Sequence, residues 1–226
     1  MAKPMIDPEA LISMFETATA TQGTQLRKTV GEATLAALQG RELTLKNIKS
    51  TLKGVSEAAS AGAAKNMIPD IDAEALLDSA VAGMDDALVK AVDANRVALQ
   101  QLVAQGADLQ DKHLQKAMDD LEKFEDTMFA ALKKNAVDGP MAGAWTQVLE
   151  KMQAGGTLSG THAASTAEQL TDQMQSAVRS TRATSLRAAK VLAESYTAMV
   201  SGVLMGMADA MQTAAKPKAP PAAKRK

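Results

Sequence analysis

The chain has 226 residues, enough for one large domain or two small ones, with 25 Lys and Arg against 26 Asp and Glu. Hydrophobic residues make up 46% but aromatics only 2%, so alanine and 14 methionines replace the usual aromatic core. There is no cysteine, which excludes disulfides and thiolate metal sites and points to a reducing, cytoplasmic setting.

Alanine is the best helix former but buries little area, and burial stabilises by roughly 25 cal/mol per Å². Such a composition favours long, thin, closely packed helices. Methionine adds an apolar surface that adapts to irregular contacts. No window combines period-two alternation with β-branched or aromatic residues, so the fold is expected to be all-α, an elongated bundle or coiled-coil-like arrangement.

In chain order, residues 1–7 read as a flexible N-terminus without the apolar run of a secretory signal. Asp7-Pro8-Glu9 starts a helix over 8–39, with an N-cap acid, proline in the first turn and an acid after it. Gly23 and Gly31 loosen its middle, and Gly40 ends it. Thr44 caps a helix over 45–65, whose Leu45, Ile48, Leu52, Val55, Ala59 and Gly62 form an apolar stripe, with Lys46, Lys49 and Lys53 off it.

Asp72 caps the longest expected helix, 73–135. Leu77, Met84, Leu88, Ala91, Asn95, Leu99 and Leu102 keep close to a seven-residue repeat along its first half. The glycine and acid at 106–108 kink or split it. Leu114, Ala117, Leu121, Phe124, Met128 and Leu132 continue a stripe, opposite a solvated face of Asp119, Asp120, Glu122, Lys123, Glu125 and Asp126. Gly139-Pro140 breaks the chain before a helix over 141–154 around Trp145. A last helix over 162–214 closes a single helical domain of 8–214. The tail, 215–226, contains Pro217, Pro220 and Pro221 and is expected to be disordered.

Catalytic and metal chemistry find no support. His113 and His162 lie on separate segments, with no Glu three residues before either. The stretch 155–162 has the glycine spacing of a phosphate loop but lacks its lysine and a preceding strand. Ser159 has no glycine two residues before it, as a nucleophile elbow requires. The expectation is no enzyme, no cofactor and no metal.

Two features remain. Gly202 and Gly206 sit one turn apart among Tyr196, Met199, Val200, Val203, Leu204, Met207 and Met211. This is either an ordinary packing face or a segment that docks on an apolar surface or self-associates. The uncharged stretch around it, 195–208, is 14 residues long, short of the roughly 20 a membrane span needs. The second feature is the tail, where Lys216, Lys218, Lys224, Arg225 and Lys226 occur without an acid. Taking those five positive charges from a net −1 leaves the rest of the chain at −6. It is either a solubilising tail or a weak, salt-sensitive contact for nucleic acid or an acidic partner.

Together, the Ala-, Met- and Gln-rich amphipathic helices, missing cysteine, scarce aromatics and Lys-Pro-Ala tail resemble the phasins, helical proteins that coat bacterial polyhydroxyalkanoate granules. The tail is similar to that of phasins that also touch the nucleoid. The segment Leu-Arg-Lys-Thr-Val-Gly-Glu-Ala-Thr-Leu-Ala-Ala-Leu-Gln-Gly at 26–40, followed by the stripe at 45–62, is similar to an uncharacterised bacterial helical family, a likeness covering most of 8–210. The resemblance implies a homo-oligomeric, non-catalytic protein on the polyhydroxyalkanoate granule or another hydrophobic surface, and no residue role carries over from it. The alternatives are a helical scaffold or adaptor oligomer, supported by the near-heptad at 77–102, and a nucleoid-associated protein that uses the tail.

Overall fold

The computed structural model describes residues 7–19, 22–39, 44–104, 112–180, 199–200, 202–205 and 207. Eight helices are described: α1 (Pro8–Thr17), α2 (Gly23–Leu38), α3 (Leu45–Lys65), α4 (Ala73–Ala104), α5 (Lys112–Glu122), α6 (Phe124–Asp138), α7 (Ala142–Gly155) and α8 (Leu158–Ser180). Residues 199–200, 202–205 and 207 are helical too, and no strand occurs among the described residues. The protein is all-α.

Three helix starts are capped by the side chains the sequence offers. Asp7 Oδ1 accepts from Ala10 N, Thr44 Oγ1 from Asn47 N and Asp72 Oδ1 from Ala75 N. Each satisfies an amide that has no partner inside its helix.

The expected helix over 8–39 is two helices. α1 stops at Thr17 because Ala18 is extended (φ −70°, ψ 144°), in a stretch where Thr17, Thr19, Thr21 and Gly23 are poor helix formers. Asn66, just past α3, secures the break: its Nδ2 donates to the carbonyls of Phe15 and Ala18, each at 2.9 Å. Gly23 begins α2, while Gly31 stays inside it.

The expected helix over 73–135 also divides. Residues 105–111, which include the anticipated kink at 106–108, lie outside the described residues. A turn at Lys123 (φ −89°, ψ 6°) separates α5 from α6, which continues to Asp138. The last expected helix starts at Leu158, not His162, because Thr157 Oγ1 accepts from Gly160 N and carboxylates from other helices take the amides beside it. Residues 181–198 and 208–226 lie outside the described residues, the basic tail among them.

α4 is the central helix, packed by α2, α3, α7 and α8. It buries Leu77, Met84, Leu88, Ala91, Asn95, Leu99 and Leu102, and also Ala80, Val81, Ala87, Val92, Ala94 and Ala98. Burial around so much of its circumference is what a core helix shows. Small residues allow the closest crossings. A Cβ on Gly83 would strike the Arg27 carbonyl oxygen of α2, and one on Gly62 would lie 2.5 Å from Ile12 O of α1. Gly23 faces Ser79, and Arg27 and Gly31 face Gly83, so α2 and α4 run in the same direction. The core is contiguous and rich in alanine, with Trp145 and Phe15 its largest fully buried side chains.

Candidate apolar docking site

The candidate segment at 196–211 is described in part. Val200 and Leu204, four residues apart, are 2% and 0% exposed and belong to the core. Met199 and Val203 are half-buried against that core, and Met207 at the segment's end is half-buried. On the other side, Gly202 is exposed with open space around it, and Met205 is 52% exposed. One face is thus anchored inward and the other turns a methionine and a glycine to solvent. Tyr196, Gly206 and Met211, and the tail cations Lys216, Lys218, Lys224, Arg225 and Lys226, lie outside the described residues.

Other large apolar side chains reach solvent singly: Met67 at 95% exposure beyond α3, Val137 in the last turn of α6 and Leu158 at the start of α8. Scattered exposed apolar residues are ordinary on a protein surface. The segment at 199–207 differs because no charged residue interrupts 195–208, so neither its buried nor its exposed face is polar in the way a surface helix requires.

Of the residues weighed for chemistry, His162 is placed as a structural partner. His162 Nε2 meets Asp93 Oδ1 at 2.8 Å, and Arg96 Nη2 reaches the same oxygen at 3.2 Å. Burial pushes the Asp93 carboxyl up, but the hydrogen bonds and charges of His162 and Arg96 outweigh it and hold it below the usual carboxylate value. The His113 side chain lies outside the described residues. Ser159 Oγ is buried with no hydrogen-bond partner, far from the geometry of an activated nucleophile.

The stretch 155–162 is a helix start held by acids. Leu158 N and Ser159 N donate to Asp85 Oδ2 and Oδ1 at 2.8 and 3.0 Å. Asp85, on α4, is only 7% exposed. Glu125 Oε1, on α6, accepts from Thr157 N at 2.8 Å and Thr157 Oγ1 at 3.0 Å. Negative charge at a helix N-terminus is stabilising because the free amides and the helix dipole both favour it. Glu125 therefore does not belong to the solvated acidic face expected for 119–126; it turns toward α8. A groove of about 590 Å³ between α5, α6 and α8 is lined by Leu121, Glu122, Glu125, Gly160, Glu168 and Asp172 among others. These are carboxylates beside small residues. Among the described residues no three His, Cys, Asp or Glu side chains are grouped to hold a metal ion.

No helix among the described residues is long and apolar enough to cross a membrane. The model of a family of unknown function, DUF6781, matches residues 1–213. No curated protein and no solved structure matches the chain.

Proposed function

We propose that this chain, which belongs to the DUF6781 family of unknown function, is a non-catalytic coat protein that binds the surface of a hydrophobic particle, with a polyhydroxyalkanoate granule as the leading target. The observation that carries this reading is the uncharged segment at 195–208: Val200 and Leu204 lock it to the bundle while Gly202 and Met205 face outward. An apolar droplet in water exposes surface that an amphipathic or fully apolar helix can cover, leaving the acidic body of the protein toward solvent. The phasin-like composition points to the same target.

The structure leaves less room for the scaffold alternative. The near-heptad at 77–102 that suggested pairing with another chain is buried, and α4 is packed by α2, α3, α7 and α8 of the same chain. In this form that seam is filled.

The test is a fluorescent fusion imaged in bacteria that accumulate polyhydroxyalkanoate, beside a version lacking residues 195–211. Rings around granules that vanish with the deletion are expected. Diffuse signal for the full-length fusion overturns the reading.

A further inference from the structure

α8 is fastened at its start and buries few large apolar side chains among those described. Asp85 and Glu125 hold its first amides, and His162 ties its second turn to Asp93. Beyond that, the buried positions among its described side chains, which end at residue 173, are Ala163, Thr166, Ala167 and Leu170, a single large apolar side chain in about two turns. Two buried hydroxyls on this helix, Ser159 Oγ and Thr166 Oγ1, have no hydrogen-bond partner, and each weighs against the packed state. α2 carries one such hydroxyl too, Thr34 Oγ1, but it buries Leu26, Val30, Leu35 and Leu38 as well.

The connection to α7 is suited to pivoting. Gly156 has φ +69° and ψ −175°, a backbone region that only glycine occupies readily. Gly155 is exposed, and a Cβ built on it would meet nothing within 4 Å. Rotation here gives up the bond from Gly156 N to the Met152 carbonyl but no side chain of the hinge itself.

We propose that α8 is a hinged flap that swings off α4 about residues 155–156 as a unit, while α2 and α4 stay folded. Opening uncovers its own Ala163, Ala167 and Leu170, together with Leu88 and Val92, which share a face with Asp85 on α4 by helical spacing. Local opening of this kind costs less than global unfolding where few large apolar side chains must be uncovered. The uncovered stripe gives the bundle a second apolar area to spread on a hydrophobic surface. That last step rests on the coat reading above; the hinge itself does not.

The chain lacks cysteine, so single engineered thiols report opening cleanly. Ala163→Cys on α8 and Leu35→Cys on α2 replace buried side chains of the two helices. The measurement is the rate of thiol labelling in native buffer, by mass spectrometry. The flap predicts labelling at 163 about 100-fold faster than at 35, since subglobal opening outpaces global unfolding. Asp85→Asn in each background should raise the rate at 163 roughly tenfold and leave the rate at 35 little changed, because the charged partner of two α8 amides is lost. Equal rates at the two sites, or equal acceleration of both, overturn the hinge.

A second arm separates the hinge from the coat reading. Asp93→Cys and His162→Cys are joined by a short disulfide-cleavable cross-linker, and binding to polyhydroxybutyrate particles is compared before and after reduction. Binding that recovers on reduction supports the flap as the route to the surface. Equal binding in both states overturns that role for the flap. Binding in neither state counts against the coat reading, and the labelling rates still decide the hinge.

Discussion

Trp145, the only tryptophan, is fully buried, and its Nε1 donates to Ser60 Oγ at 2.6 Å. Ser60 Oγ in turn donates to the Ser56 carbonyl at 2.7 Å, and Asn135 Nδ2 donates to Ser56 Oγ at 2.8 Å. Four polar groups from α3, α6 and α7 are thereby satisfied inside an apolar core, where each unpaired one is expensive. Ser60→Ala leaves the indole N–H without its partner. A loss of about 1–3 kcal/mol is expected from urea unfolding followed by Trp145 fluorescence. The exposed Ser13→Ala should stay within about 0.5 kcal/mol of wild type. Glycine residues carry the other sharp expectation at this scale. Gly83→Ala places a methyl against the backbone of α2, which cannot yield as a flexible side chain does. It should cost about 1–3 kcal/mol, read as a lowered Tm, whereas Gly143→Ala, with open space around its Cβ position, should not. The glycines and the serine pair look unremarkable in the sequence; only the neighbours they meet give them weight.

Among the helices, the seams differ in what holds them. Exposed ion pairs cross several: Arg27 forms paired hydrogen bonds to Asp86 at 2.6 and 2.7 Å, Lys151 reaches Asp78 and Glu74, and Lys65 reaches Glu16. The Arg27 guanidinium is held in its charged form most by its hydrogen bond to Asp86. Pairs this exposed add little stability and mainly fix register. The α4–α8 seam depends more on its half-buried cluster of Asp93, Arg96 and His162. The folded-state pKa of Asp93 is lower than its unfolded one, so the carboxylate stabilises the fold above about pH 4 and loses that contribution as pH falls through the folded value. Urea midpoints of wild type and Asp93→Asn should accordingly differ most at pH 6 and converge toward pH 3. A gap that stays constant over this range would show that the carboxylate charge is not what matters. The break between α1 and α2 follows the same principle at a different place: Asn66, distant in sequence, offers α1's carbonyls partners that continued helix would have supplied.

For the molecule as a whole, on the proposed coat reading, the charge distribution sets orientation. Net charge excluding the last eleven residues is −6, and the stretch 195–208 is neutral. A protein that meets an apolar surface through that stretch keeps its acidic helices in water. Met205→Glu puts a charge on the exposed side without disturbing Val200 or Leu204. It should lower the fraction of protein sedimenting with polyhydroxybutyrate particles at least about tenfold, from the cost of desolvating a carboxylate, while leaving the circular dichroism spectrum unchanged. Undiminished sedimentation would move the contact away from this segment.

The sequence by itself determined that the protein is helical and where its strongest boundaries fall. Asp7, Thr44, Asp72 and Gly139-Pro140 act through local backbone chemistry, which neighbouring residues suffice to reveal. The apolar stripes at 45–62 and 77–102 were legible for the same reason: helical spacing shows which residues share a face. Spacing does not show what covers that face. The seam at 77–102 reads like an intermolecular coiled coil, yet it is filled by helices of its own chain. Glu125 reads as a solvated acid, yet it caps a helix more than thirty residues away, since Thr157 follows it by 32 positions; Asp85, which carries no sequence signal of its own, caps the same helix across 73. Likewise, the stretch at 195–208 is uncharged throughout, and only packing separated Val200 and Leu204 from Gly202 and Met205. Partners distant along the chain are chosen by the free energy of the assembled bundle, in which burial and the pairing of every amide are settled together, and no local pattern encodes that choice.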